Sequence, residues 1–323
     1  MVLFRSPRGQ RGVKQRGVGT ARNGEAFGEQ GEMHGASVPR IALECAMEIV
    51  DHLIVGAGYV GRRMALGLAG SAQVLCLVGR ETSAAGLREE GLHAWAWDLD
   101  CDAPAPRLPR ANTLYYLTPP PGSGEDDPRL ARFLQHCPSP GRFVYLSTTA
   151  VYGDTAGVSV SEDSPTLPGS ARGRRRAAAE TAVRAFASAA GVEWTVLRVP
   201  GIYGPGRLPL ERLARGEPVL AEAEAGLTNR IHVDDLIAAL ELAGRHPAAA
   251  RRIYNVSDGA PCSTSAHFRR VAELAGLPAP REIPRAEADG QLSAAFLSYL
   301  DESRHLDVTR IGRERSEEHT SEL

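Results

Sequence analysis

The order of apolar and polar positions along the chain predicts strands alternating with helices. Asp51–Val55 (DHLIV) is a short apolar run that ends in glycine, the pattern of a strand buried on both faces. Tyr59–Leu68 has helix-forming composition. Further strands are expected at Gln73–Val78, His93–Trp97, Thr113–Leu117, Arg142–Leu146 and Glu193–Val199, with helices over Arg129–His136 and Arg174–Ala190. Such alternation predicts an α/β fold in which a doubly wound parallel sheet carries helices on both faces. After Pro200 the pattern loosens into Gly/Pro loops, a helix near Asp234–Ala243, a strand at Arg252–Val256 and a short helical end. A small C-terminal substrate lobe, drawn mainly from 200–230 and 257–314, is therefore expected.

The two ends read differently. Residues 1–46 are rich in Gly and Arg, show neither helical nor strand period, and carry six basic residues before the first acidic one, Glu25. A segment of that kind buries too little apolar area to offset chain entropy, so a disordered extension is expected, with Met47 as the start of the folded unit. The last nine residues, Arg315–Leu323 (RSEEHTSEL), resemble translated read-through of a sequencing adapter. They are expected to be a non-native tail, leaving 47–314 as the folded region.

Composition narrows the chemistry. A net charge of −2 argues against a nucleic-acid binder, and no run of about 18 apolar residues predicts a membrane span. The cysteines, at 45, 76, 101, 137 and 262, have no C-x-x-C spacing, and the histidines form no ligand pair. A reduced, cytoplasmic protein without metal is the expectation. The single lysine, Lys14, lies in the leader. Any mechanism that needs a neutralisable amine is thereby excluded from the folded region.

Gly56, Gly58 and Gly61 form G-x-G-x-x-G between the first strand and the first helix. That context predicts a Rossmann dinucleotide site: Gly56 for the tight turn, Gly58 for approach of the pyrophosphate, Gly61 for helix–strand packing. The backbone of Tyr59 and Val60 opens the helix toward the phosphates. The second strand ends in Gly79-Arg80, where an acidic residue would bind the ribose hydroxyls of NAD. Arg80 can instead pair with a 2′-phosphate, so NADP is expected, with NAD admitted by the adjacent Glu81. Asp98, after the third strand, is a candidate for the adenine or an ordinary turn aspartate.

Further segments carry a resemblance. They are Tyr145–Asp154 (YLSTTAVYGD), Arg198–Gly206 (RVPGIYGPG) and Asn229–Asp235 (NRIHVDD). With the glycine turn, they resemble extended short-chain dehydrogenases/reductases, the NAD-dependent epimerase/dehydratase group, from about Asp51 to Val308. The resemblance implies that Thr148 is the catalytic hydroxyl, that Thr118 and Pro200 lie along the cofactor, and that Asn229–Asp235 faces substrate. It also exposes a departure. Counting back from Glu180 places Arg176 in the lysine slot and Arg172 in the tyrosine slot of the family's Tyr-x-x-x-Lys pair. A guanidinium cannot exchange protons near neutral pH. Arg176 can still hold the nicotinamide ribose, and Arg172 an anionic substrate. This loss, with Thr118–Gly122 (TPPPG), resembles the YeeZ-like atypical subgroup.

Two functions remain open. One is an NAD(P)-dependent oxidoreductase or epimerase/dehydratase-like enzyme on a small polar or anionic substrate. Tyr152, Tyr203 and His232 are its candidates for proton transfer, and Arg207 and Arg230 join Arg172 for substrate binding. The other is a non-catalytic dinucleotide-binding redox sensor or assembly protein. A homodimer is compatible with either.

Overall fold

The computed structural model describes residues 48–293, 296–297, 300 and 302–316. The expected extension at 1–46 and residues 317–323 of the tail expected at 315–323 lie outside the described residues, whereas 315 and 316 close the last helix.

Seven strands build the central sheet: β1 (Ile49–Val55), β2 (Val74–Val78), β3 (His93–Ala96), β4 (Arg110–Tyr116), β5 (Arg142–Thr148), β6 (Glu193–Val199) and β7 (Arg252–Asn255). All pairings are parallel, in the order β7-β6-β5-β4-β1-β2-β3. The direction of winding reverses between β1 and β4, and in such sheets ligands bind beyond the carboxyl ends of the strands at that point. Successive residues point to opposite faces, so each strand feeds two cores. On one face Ile54, Val144 and Leu197 pack with Met64 and Leu236. On the other, Leu53, Val55, Tyr116, Phe143 and Val196 pack with Phe133 and Val183. Burial on both faces is why β2 (VLCLV) reads as a continuous apolar run.

Helix α1 (Tyr59–Leu68) matches its expected bounds, and α2 (Glu81–Glu89) is an addition to the sequence reading. The next two helices begin earlier than periodicity suggested. In α3 (Pro128–His136) the Asp127 carboxylate accepts from the Leu130 N–H at 3.0 Å, with proline at the first helical position. In α4 (Ala171–Ala190) the Ser170 hydroxyl accepts from the Gly173 N–H at 3.3 Å, and Gly191 ends the helix in the left-handed region. Helix α5 (Val233–Arg245) packs on the sheet, and α6 (Thr264–Ala275) belongs to the lobe.

The lobe is stitched together by two-stranded ladders that pair 227–228 with 262–263 and 219–220 with 282–283. Its core is small: Leu213, Val219, Phe268, Val271 and Ala272 in one cluster, Leu220, Ile283, Ala288 and Leu292 in another. A ladder between 159–160 and 305–306 returns the chain to the mouth of β5. Helix α7 (Thr309–Ser316) follows.

Candidate active site

The glycine turn has the geometry its three positions require. Gly56 stands at φ +93°, and a Cβ there would meet the Thr118 N and Oγ1 atoms at 2.6 Å. A Cβ at Gly61 would lie 2.7 Å from the Gly56 carbonyl oxygen and 3.0 Å from Ile54 Cγ2, so the helix seats against the strand only because the side chain is absent. Gly58 differs: a Cβ there meets nothing within 4 Å. Gly58 is also the N-cap of α1 and caps with no side chain, which leaves first-turn N–H groups directed beyond the turn. Val60 is core, so only its backbone can serve a ligand.

Beside this turn lies a cavity of about 330 Å³ whose lining includes Val78, Gly79, Arg80, Asp98, Thr118 and Arg129. Thr118, Arg80 and Asp98 are thus brought together as expected. Asp98 is also the turn residue anticipated, its Oδ1 accepting from the Asp100 N–H at 2.9 Å. Trp97, another lining residue, has a buried indole N–H with no acceptor among the described residues. Open space at Gly58, unpaired N–H groups and a cavity at the ends of β2 and β3 fit the adenosine and pyrophosphate of a dinucleotide.

A second cavity, of about 190 Å³, opens where β5 and β6 end. Thr148, Arg172, Pro200, Asn229, Glu302 and Arg304 are among its lining residues. Thr148 accepts from the Ala150 N–H at a long 3.4 Å, a weak local cap that leaves the hydroxyl a competent partner for a ligand. Glu302 and Arg304 were not singled out from the sequence. Arg304 is buried and donates to the Gly153 carbonyl at 3.0 Å, to the Thr149 hydroxyl at 3.2 Å and to Glu302. Glu302 also accepts from Ser170 Oγ at 3.0 Å and lies 3.5 Å from Arg172 Nη2. No spacing signal could have found this pair, because it comes from the far end of the lobe.

Strand ends β5 and β6 are held by a buried ion pair beneath the second cavity. Glu180 accepts from Ser147 Oγ at 2.6 Å, and from Arg198 Nε at 3.1 Å and Nη2 at 2.8 Å. Both charged groups are almost fully buried, which makes each dependent on the other. Thr148, next to Ser147, and Pro200, two residues after Arg198, line the cavity.

The structure does not bring the other expected residues to this cavity. Tyr152 is buried, with its hydroxyl donating to Asn255 Oδ1 at 2.7 Å, and burial pushes its phenol above the ordinary range. It is a packing residue. Tyr203 and His232 meet edge to face with centroids 5.3 Å apart, outside the lining of both cavities. His232 caps α5 instead, Nδ1 accepting from the Asp234 N–H at 3.3 Å. Arg230 is buried against Cys262 Sγ at 3.2 Å, because its strand pairs inside the lobe. Arg207 lies over the Tyr59 ring at 4.3 Å, beside Arg63 at 3.9 Å, while Tyr59 Oη donates to the Pro205 carbonyl at 3.1 Å. Arg207 therefore stands on the glycine-turn side of the molecule. Arg176 Nη1 donates to the Leu146 carbonyl at 2.9 Å and to Tyr145 Oη at 3.0 Å, and Arg176 lines neither cavity. Arg172 alone of the cations expected for substrate lines the second cavity.

Comparison with known proteins agrees with this architecture. The profile of the NAD dependent epimerase/dehydratase family matches residues 128–257. Over 142 residues this chain is 31% identical to dTDP-glucose 4,6-dehydratase of Streptomyces griseus, covering 42% of this chain and 43% of that protein. The chain spans about half the length of the curated relatives it matches. A functionally unknown conserved protein from Silicibacter pomeroyi DSS superposes with a TM-score of 0.70 at 29% identity, over 82% of this chain and 92% of that one. MoeE5, in complex with UDP-glucose and NAD, superposes with a TM-score of 0.60 at 25% identity, over 80% and 89%. Among the described residues no group of three or more His, Cys, Asp or Glu side chains could hold a metal ion, and no helix is long and apolar enough to cross a membrane.

Proposed function

We propose that the chain is an NAD(P)-binding, atypical member of the epimerase/dehydratase family acting as an oxidoreductase or epimerase on a small polar or anionic substrate. The observation that carries the reading is the glycine turn: two of its glycines are demanded by packing, whereas Gly58 faces open space beside the larger cavity. A bound nicotinamide supplies hydride acceptance and return. The protein's own part is to hold the adenosine end between Arg80 and Thr118. The substrate is presented at Thr148, with Arg172 as the cation toward its negative charge. Relatives that act on sugar nucleotides support a nucleotide sugar as the first substrate class to try. NADP is the preferred form because Gly79-Arg80 puts a cation where an acidic residue would select NAD. Arginines at 172 and 176, the positions read as the tyrosine and lysine slots, support a likeness to YeeZ-like members. A cytoplasmic setting and a homodimer complete the proposal.

A second reading has a specific observation in its favour. Neither Tyr152, Tyr203 nor His232 lines the second cavity, and Arg172 and Arg176 cannot exchange protons. A dinucleotide-binding sensor without turnover has the same cofactor site. Calorimetric titration with NADP and NAD, followed by absorbance at 340 nm with UDP-glucose, dTDP-glucose and UDP-glucuronic acid, separates the two. Cofactor binding with nicotinamide reduction, or with conversion of the nucleotide sugar read by chromatography of the products, supports the enzyme, and binding with neither supports the sensor. Arg80→Asp should weaken NADP and spare NAD. Equal effects on both would overturn the NADP assignment.

A further inference from the structure

We infer that Asp100 sets how strongly the adenosine cavity discriminates between NADP and NAD, by engaging Arg129 as a partner and withholding it from a 2′-phosphate. The inference rests on the dinucleotide reading of that cavity. Two arginines and two aspartates line it: Arg80, Arg129, Asp98 and Asp100. They come from separate segments. Arg80 follows β2, the aspartates follow β3, and Arg129 opens α3. Formal charges at the cavity therefore cancel, although the residue after β2 is basic. A dianionic 2′-phosphate gains only from a cation that its neighbours have not already neutralised.

The four residues differ in how they are held. Arg129 makes a bidentate pair with Asp100, Nε to Oδ1 at 2.6 Å and Nη2 to Oδ2 at 2.5 Å. Its Nη1 donates to the Pro119 carbonyl at 3.0 Å, which ties the pair to the loop after β4. Asp98 aims Asp100: its carboxylate accepts from the Asp100 N–H at 2.9 Å and fixes the turn that carries the second carboxylate to Arg129. The strength of the pairing holds Asp100 below the ordinary carboxylate range and Arg129 above its own ordinary value. Arg80 has no side-chain partner among the described residues. It caps α2 with its backbone and is exposed. Arg80 is thus the cation available to a ligand, and Arg129 is a second one under Asp100's control.

One turn along α3, Arg132 makes an analogous bridge. It donates to Asp102 Oδ1 at 2.9 Å and to the Ala103 carbonyl at 2.6 Å. Neither Arg132 nor Asp102 lines the cavity. The second bridge straps the same loop to the same helix without adding charge to the site. It is therefore the control that separates an electrostatic role from a mechanical one.

The test is calorimetric titration of the full chain with NADP and with NAD, comparing the wild type with Asp100→Asn, Asp102→Asn and Asp100→Asn combined with Arg129→Ala. Asp100→Asn should tighten NADP roughly fivefold, the scale expected for removing one exposed negative charge near a phosphate dianion, and leave NAD within about twofold. Asp102→Asn should change neither. The double variant should lose the gain for NADP. Equal gains for both dinucleotides, no gain, or the same gain from Asp102→Asn each overturns the inference. Failure of the wild type to bind either dinucleotide is a different result, which overturns the cofactor reading itself.

Discussion

Gly58 and Gly61 lie three residues apart in one turn, and substituting them should separate ligand binding from stability. At Gly61 an added methyl lands 2.7 Å from the Gly56 carbonyl oxygen, with Leu117 Cδ1 at 3.2 Å. That oxygen cannot retreat cheaply, because it accepts from the Gly58 N–H at 2.8 Å and so closes the turn. Overpacking of this kind costs about 1–3 kcal/mol, and a backbone obstacle argues for the upper end. Replacing glycine by alanine inside a helix returns about 1 kcal/mol. The net loss for Gly61→Ala is roughly 2 kcal/mol, which lowers Tm by about 4–8 °C in a domain of this size. At Gly58 the backbone has φ −84° and ψ −140°, outside the left-handed region but also off the ordinary β region, and no atom stands near the new side chain. Gly58→Val should therefore cost about 1 kcal/mol of stability, less than Gly61→Ala. Its isopropyl group instead fills the space over the unpaired N–H groups of α1, and dinucleotide affinity should fall at least a hundredfold. Thermal melts and calorimetric titration with NADP read the two quantities separately. The reasoning is refuted if Gly58→Val binds NADP like the wild type, or if it unfolds at as low a temperature as Gly61→Ala.

Glu180→Leu should cost roughly 3–5 kcal/mol, seen as a large drop in melting temperature, because it strands the buried Arg198 guanidinium. Adding Arg198→Met should recover most of that loss, and a double variant as unstable as the single one would contradict it. His267, packed beside Tyr203 and near Arg230, is held by burial at about 4, below its ordinary value of 6.5. The unfolded chain then takes up a proton that the folded chain refuses. Stability should be full above pH 6.5 and decline as the pH falls toward 4, with a shallower decline in His267→Gln measured by urea unfolding at several pH values. Arg172→Tyr alone should not produce nicotinamide reduction with UDP-glucose, since Arg176 turns Nη1 to the Leu146 carbonyl, lines neither cavity and cannot exchange protons as a lysine does. Robust turnover by that single variant would show the opposite.

Local pattern was enough for whatever depends on neighbours in sequence. A strand buried on both faces, such as β2 (VLCLV), leaves a continuous apolar run. The glycine turn is recognisable because the torsion at Gly56 and the contact at Gly61 forbid other residues. Thr148, Pro200 and Arg172 were placed by position along β5, β6 and α4, and all three line one cavity. Helix α2 escaped notice because it buries only Ala84 and Leu87, too few positions to print a period. The early starts of α3 and α4 were written in their caps, Asp127 with Pro128 and Ser170, and not in their periodicity. Tertiary structure alone decided where long side chains spend their hydrogen bonds. Arginine reaches several ångströms in many rotamers, so sequence position does not say whether Arg176 meets a ribose or the Leu146 carbonyl, or whether Arg207 meets substrate or Tyr59. Tyr152 and His232 sit in suggestive segments, yet their partners, Asn255 and the Asp234 N–H, are set by packing and capping. Glu302 and Arg304 enter the second cavity only because the ladder between 159–160 and 305–306 carries the end of the chain back to β5. Contacts across such a distance along the chain are specified by the whole core, and no local spacing records them.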